Sequence, residues 1–246
     1  MTLPGLVSNA GALRCRQAIM ARALLIAVVL APAAPVLAQQ PAAAPAPPPA
    51  LPAQIPLFPL PDVVLMPNVA RPLFVFESRY LDMVEDAMRG DQIIGMIELQ
   101  PGFEKDYEGR PPIYGVGCAG KITDYEEMID GRYAIVLRCF TKFRVKSEEA
   151  RRTYRVANVE EVPDPLSAVE HDQLAVMREK LEGLMDLPIM PLDEIVPRGL
   201  SDEAYVNSVA MFLRMRGPLR QELLELGGPV ARAQRLLELI DAMHLR

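Results

Sequence analysis

Residues 113–146, IYGVGCAGKITDYEEMIDGRYAIVLRCFTKFRVK, carry two incompatible readings. Gly115, Gly117 and Gly120 spell G-x-G-x-x-G, the fingerprint of a dinucleotide-binding turn. That turn must close a buried strand and open a helix. No helix pattern follows Gly120, because KITDYE continues an apolar–polar alternation of period two. The stretch therefore predicts a strand from Ile113 to about Tyr125, a two-residue turn at Asp130-Gly131, and a second strand to about Lys146. Tyr133, Ile135, Leu137 and Cys139 share one face of that second strand. Glycine inside a strand marks a bulge or a close backbone approach, so no nucleotide cofactor is expected here.

The same hairpin sets an expectation for the cysteines. A two-residue turn places Cys118 opposite Phe143, four residues from Cys139. The two Cα atoms are then too far apart to bridge, and two buried free thiols are predicted. RCFTKFRVK, residues 138–146, alternates basic and apolar residues and reads as the wet face of a strand.

Upstream, IPLFPLPDVVLMPNVARPLFVFE (residues 55–77) is apolar and broken by prolines, which confines it to short strands at edges or bends. Ser78 is expected to cap a helix with the buried stripe Tyr80, Met83, Val84, Ala87 and Met88, stopped at Gly90. DQIIGMIEL (residues 91–99) reads as a strand, and so does TYRVANVEEV (residues 153–162). After VPDPL the pattern turns helical. One helix spans about 167–184, and a second follows Ser201 with Val206, Val209, Ala210 and Leu213 inside. Pro218 and Pro229 open two more, and the last should bury Ala233, Leu236, Leu237, Ile240 and Met243.

The amino-terminal end reads as something other than a folded domain. Arg14, Arg16 and Arg22 precede the apolar run ALLIAVVLA and the small residues Val36 and Ala38, the pattern of a cleaved secretory signal over residues 1–38. Its core falls short of the roughly 20 apolar residues that span a bilayer. An uncleaved amino-terminal membrane tether is the alternative, and Met20 is a second possible start. Residues 39–54, rich in proline and alanine, read as an extended, disordered linker. The expected location is periplasmic or secreted, with no stable membrane insertion after cleavage.

The first 38 residues hold three of the 26 basic residues and none of the 32 acidic ones, so residues 39–246 carry 23 basic against 32 acidic, a net charge near −9. That balance argues against nucleic acid as a partner. No phosphate loop, G-x-S-x-G elbow, H-E-x-x-H or C-x-x-C is present. His171 and His244 sit in polar helical settings. The pairs Glu126-Glu127, Glu148-Glu149 and Glu160-Glu161 point to opposite strand faces and read as solubility features. No catalytic, cofactor-binding or metal-ligating residue is assigned, and peptide-contacting residues stay unnamed.

Taken together, the blocks resemble a known family. An apolar-proline strand (residues 56–60), Asp62-Val63, Pro67, and residues 72–75 before a helix are similar to the opening of the amino-terminal domain of Lon proteases. Residues 115–121 and the hairpin turning at Asp130-Gly131 resemble its later hairpin. VNSVA (206–210), LLEL and ARAQRLLELI resemble the helical part of stand-alone bacterial members. The resemblance implies an α+β fold: a PUA-like β-barrel over residues 55–165, then a helical bundle over 166–246. It also implies recognition of unfolded or extended apolar polypeptide. The ATPase and serine–lysine protease modules have no counterpart in these blocks, so a non-enzymatic binding module without cofactor is expected. The rival expectations are an RNA-binding PUA-like module and an enzyme of unrecognised chemistry.

Overall fold

The hairpin forms, with a longer loop than its Asp-Gly dipeptide suggests. In the computed structural model, which describes residues 49–103, 107, 109–149, 152–185, 196–197 and 199–244, Met128 N–H donates to the Arg132 carbonyl at 2.8 Å and Gly131 N–H to the Met128 carbonyl at 2.9 Å. Gly131 takes φ +80°. This is the three-residue hairpin loop closed by a left-handed glycine. The expected signal segment and most of the linker lie outside the described residues.

Among the described residues six strands and five helices follow in order: β1 (Gln54–Leu60), β2 (Ala70–Val75), α1 (Ser78–Arg89), β3 (Ile93–Glu98), β4 (Val116–Glu127), β5 (Tyr133–Glu149), β6 (Arg155–Val162), α2 (Ala168–Met185), α3 (Asp202–Phe212), α4 (Gly217–Glu225) and α5 (Pro229–His244). The sheet is mixed. β1 and β3 run parallel, joined by a crossover through β2 and α1, and the other pairs are antiparallel. The order is β2-β5-β4-β3-β1-β6, and β6 pairs back onto β5, so five strands close a ring of pairings. β5 is long enough for one edge to serve twice: its first half pairs with β2 and its second with β6.

Two register shifts in β4–β5 decide what faces what. The longer loop pairs Glu127 with Tyr133; shifts after Ile122 and after Ala119 then leave Thr123 and Phe140 without ladder partners. Each such bulge reverses the in–out alternation. Before Phe140 the odd residues of β5 (Tyr133, Ile135, Leu137, Cys139) join the larger core, as the alternation predicts. Beyond it, Phe143 enters a smaller cluster with Ile55, Leu57, Ile93, Ile97, Ala119 and Ala157, contributed by all five ring strands.

The bulges overturn two expectations. Cys139 pairs with Gly120, where a two-residue turn sets it against Ile122, so Cys118 is its diagonal neighbour. The Cα atoms are 5.9 Å apart and the sulfurs form a cross-strand disulfide in place of two free thiols. Lys142 is not on the wet face: it stands on the side covered by the helices and is 2% exposed.

The glycines of the fingerprint lie along β4, with no helix after them. A Cβ on Gly117 or Gly95 would run into the Phe143 ring, and one on Gly120 into Leu137. Gly115 has no such neighbour.

The helices follow their stripes with small corrections. Tyr80, Met83, Val84 and Ala87 of α1 are buried, while Met88 is half-buried. The cap position of α1 is Glu77 rather than Ser78, and its side chain makes no cap bond. On α5, Ala233, Leu236 and Ile240 are buried, Leu237 is half-buried, and Met243 is exposed. Ser167 and Glu170 close a capping box before α2. The packed chain begins ahead of Ile55: Leu51 joins the smaller cluster and the Ala53 carbonyl accepts from Val159 N–H at 2.9 Å.

A buried ionic joint ties sheet to helices. Lys142 Nζ lies 2.5 Å from Asp164 Oδ1, and Arg232 Nη2 lies 2.8 Å from Oδ2. Lys142 also donates to the Leu224 and Leu226 carbonyls at the end of α4. Arg232 donates to the Leu223 carbonyl and to Asn207 Oδ1, while Asn207 Nδ2 donates to the Pro67 carbonyl. Every charge in the joint is thus paired, as burial requires.

Candidate functional site

Where α1 crosses outside β1 and β6, two cavities of about 270 and 280 Å³ adjoin, sharing Arg152 and Tyr154 in their walls. The first is cationic and aromatic: Arg79, Arg110, Arg152 and Arg155 line it with Tyr80, Tyr107 and Tyr154. The second is mixed: Pro52, Ile55, Pro56, Ala87, Ile93 and Val156 line it together with the polar side chains Gln54, Asp86, Asp91, Arg152 and Tyr154.

Each arginine is held differently. The Arg79 guanidinium lies between two rings, 4.7 Å from the Tyr80 centroid and 4.8 Å from that of Tyr107. Its Nε and Nη2 both donate to Glu77 Oε2, and the Tyr107 hydroxyl donates to Glu77 Oε1 at 2.8 Å. This engagement explains why Glu77 leaves the α1 cap unmade. Arg152 Nη1 and the Tyr154 hydroxyl both donate to Asp86 Oδ2, each at 2.6 Å. Arg110 Nη1 donates to the Glu149 carbonyl.

Arg155 is the buried member, its side chain 7% exposed, with Nε 3.6 Å from Glu148 Oε2. Nη2 donates to the Pro111 carbonyl at 2.6 Å. Nη1 is buried and makes no hydrogen bond. Burial lowers the pKa of Arg155; Arg110 and Arg79 add repulsion, against the pull of Glu148 and Tyr80.

The tyrosines act as donors. Burial, then hydrogen bonding to Asp86, pushes the Tyr154 phenol up to about 12, and burial likewise raises Tyr80 and Tyr107. Asp86 is held below the usual carboxylate range, first by the Tyr154 hydroxyl and then by Arg89. At neutral pH the phenol protons are spent on Glu77, Asp86 and the Pro59 carbonyl, and the first cavity presents guanidinium protons beside carboxylates that are already engaged, an arrangement suited to holding an oxyanion or a carbonyl oxygen.

A second perturbed group stands apart from both cavities. Glu98, buried at the end of β3, packs on Gly217 at the start of α4, whose N–H donates to Asp62 Oδ1. Burial pushes Glu98 up to about 7, with Asp62 adding to the rise against the pull of Arg220.

No residue of the groove was singled out for binding from the sequence. The signal that existed was the recurrence of Arg beside Tyr, at Arg79-Tyr80 and Arg152…Tyr154-Arg155, which lie far apart along the chain. The basic stretch that did stand out, 138–146, contributes only Lys142 to a buried role. Glu148 and Glu149, read as solubility features, bind Arg155 and Gln54. His171 is exposed on α2, and the side chain of His244 lies outside the described ones. Among the described residues no three His, Cys, Asp or Glu side chains are placed to hold a metal ion.

The sheet, its crossover helix and the helices that follow have the α+β fold of Lon amino-terminal domains. A Lon N-terminal domain protein from Xanthomonas campestris matches with TM-score 0.53 and 27% identity, over 75% of this chain and 97% of that one. The N-terminal domain of Mycobacterium avium complex Lon protease matches with TM-score 0.59 and 16% identity, over 76% and 98%. The chain belongs to the family described as the ATP-dependent protease La (LON) substrate-binding domain, whose model matches residues 54–242. The Lon protease of Trichlorobacter lovleyi is 26% identical over 200 residues, and that of Anaeromyxobacter dehalogenans 27% over 198. The chain spans about a quarter of the length of these curated relatives, 24% and 23% respectively.

Proposed function

We propose that this protein is a non-enzymatic binding module for unfolded or extended apolar polypeptide. The observation that carries the reading is the groove beside α1, in which a cavity walled in part by prolines and aliphatic side chains runs into one lined by guanidinium groups. An extended chain presents both apolar side chains and unpaired backbone carbonyls, and such a groove offers a place to each. Exposed Phe74 on β2 and Phe76 just after it, ahead of α1, add apolar surface, and β2 has a ladder partner on one side only among the described residues. Membership of a family described by substrate binding points the same way.

The architecture belongs to the same proposal. The closed ring, with a core fed by five strands, supports a PUA-like barrel over residues 55–165, and the packing of α5 on α2, α3 and α4 supports a helical bundle over 166–246. Export is proposed from the residues 1–38 pattern alone.

The four arginines are the observation that favours an RNA-binding module instead. Three of them already face acids, namely Glu77, Asp86 and Glu148, so the groove is not a bare cationic track. For an enzyme the perturbed carboxyl would need to meet a cavity, and Glu98 lines neither.

The test uses the purified chain with a reduced, unfolded model protein and the folded form of the same protein. Fluorescence anisotropy should show binding of the unfolded form alone, at about micromolar affinity and without ATP. A gel of the same mixture should show no cleavage. Equal affinity for both forms would remove the reading, and cleavage surviving purity controls would favour the enzyme.

A further inference from the structure

Building on the polypeptide-binding reading, we propose that the cationic cavity takes a carboxylate of the bound chain, seated against Arg155 and Arg110, while the proline and aliphatic wall of the adjoining cavity takes the side chains preceding it. The ligand class is therefore an extended segment with apolar residues running into a carboxylate, supplied either by the chain's own C-terminus or by an aspartate or glutamate.

Three features of the cavity lead there. First, no carboxylate is among its described lining residues, and the two beside it are spoken for. Glu77 is bonded by Arg79 and Tyr107, and Asp86 by Arg152 and Tyr154. Second, Arg155 is under-engaged: its contact with Glu148 is long, at 3.6 Å, and Nη1 has no hydrogen-bond partner despite its burial. A buried guanidinium proton without an acceptor is costly, and a carboxylate is the acceptor whose two oxygens match the guanidinium fork. Arg110, at the open side, makes its hydrogen bond to a carbonyl rather than to an acid. Third, the site is set in place before any ligand arrives, because Nη2 of Arg155 is fixed by the Pro111 carbonyl and the neighbouring tyrosines are fixed by acids. A cavity near 270 Å³ admits a carboxylate with a few attached atoms and excludes a folded surface.

The adjoining cavity sets the direction. Its prolines and aliphatic side chains suit apolar side chains, and of its two acids Asp86 is already engaged by Arg152 and Tyr154 while Asp91 repels a second anion. A carboxylate is thus favoured at the end that holds Arg110 and Arg155, neither of which lines the adjoining cavity. The chain as a whole is acidic, so bulk electrostatics disfavour an acidic ligand, and any preference for one must come from a local site.

Fluorescein-labelled decapeptides of one apolar sequence test this on the full chain: one ending in a free carboxylate, one amidated, and one amidated with a penultimate glutamate. An RNA oligomer and the unfolded model protein are run beside them. The free acid should bind about tenfold more tightly than the plain amide, the gain expected of a charge-assisted bidentate contact. That ratio should fall to near one in Arg110→Ala and in Arg155→Gln, the free acid losing about tenfold more affinity than the amide. It should persist in Arg138→Ala, which removes the same charge elsewhere. Arg110 is exposed, so its variant keeps the test open if Arg155→Gln fails to fold. Tight binding of the glutamate peptide assigns the carboxylate to a side chain, and its failure beside a tight free acid assigns it to the C-terminus. Equal binding of acid and amide, with the unfolded protein still bound, overturns the carboxylate site and leaves the polypeptide reading standing. RNA binding tighter than the acid peptide and lost in Arg110→Ala overturns it in favour of phosphate. Loss of peptides and unfolded protein alike brings down both readings.

Discussion

The Phe143 ring fills the space above Gly117: a Cβ at Gly117 would stand 2.6 Å from Phe143 Cζ and 2.5 Å from the Met96 carbonyl oxygen. Both distances are shorter than real Cβ atoms tolerate. Gly117→Ala should therefore destabilise by about 2–3 kcal/mol, the range of overpacked cores. Phe143→Leu in the same chain should restore part of the loss and no more, since the Met96 carbonyl stays. Gly115→Ala, with open space around its Cβ, should be neutral or slightly stabilising. Urea denaturation midpoints compare the three.

The buried joint gives an asymmetric expectation. Asp164→Asn leaves Lys142 and Arg232 buried without their shared counter-ion and should cost about 3–5 kcal/mol. Lys142→Met should cost less, because Asp164 keeps Arg232 and the loss is confined to the α4 carbonyls. Reversal of that order in chemical denaturation would contradict the pairing.

Glu98 should make stability depend on pH. Its folded pKa, about 7, lies above the ordinary 4.5, so the folded state holds the proton longer than the unfolded state. Its contribution is therefore most favourable below pH 4.5, declines as pH rises, and is fully lost above pH 7. The difference amounts to about 3 kcal/mol at most. Glu98→Gln should flatten this slope and be the more stable form at pH 8, as read from denaturation curves across the range.

The Cys118–Cys139 disulfide closes a loop of 21 residues in sequence separation. Its reduction, or the paired change Cys118→Ser with Cys139→Ser, should lower stability by about 3 kcal/mol through the entropy of the unfolded chain. Thiol titration of the denatured, unreduced protein should find neither cysteine reactive.

Export makes the simplest expectation. Amino-terminal sequencing of protein from its native host should begin at Gln39. A Met1 or Met20 terminus would leave the segment in place as a membrane tether or plain extension.

Much of the fold was legible because amphipathic periods report which residues face a core. The α1 stripe, the inner face of α3, and the odd residues of β5 up to Cys139 were all readable from spacing, and the ordered blocks carried the family. Spacing is silent about a single residue left out of a ladder. The bulge at Phe140 has no compositional mark, yet it reverses the alternation and buries Lys142, and the equally unmarked bulge at Thr123, with the longer loop, sets Cys139 against Gly120, beside Cys118. The groove was hidden for a different reason. Arg79 and Arg155 share a cavity because β1 packs against α1 and also pairs with β6, Leu57 opposite Arg155 and Gln54 opposite Asn158. The sequence determined which faces are apolar; tertiary structure decided which distant cations share a cavity, since strand pairing across a hundred residues is set by the global packing that local spacing does not encode.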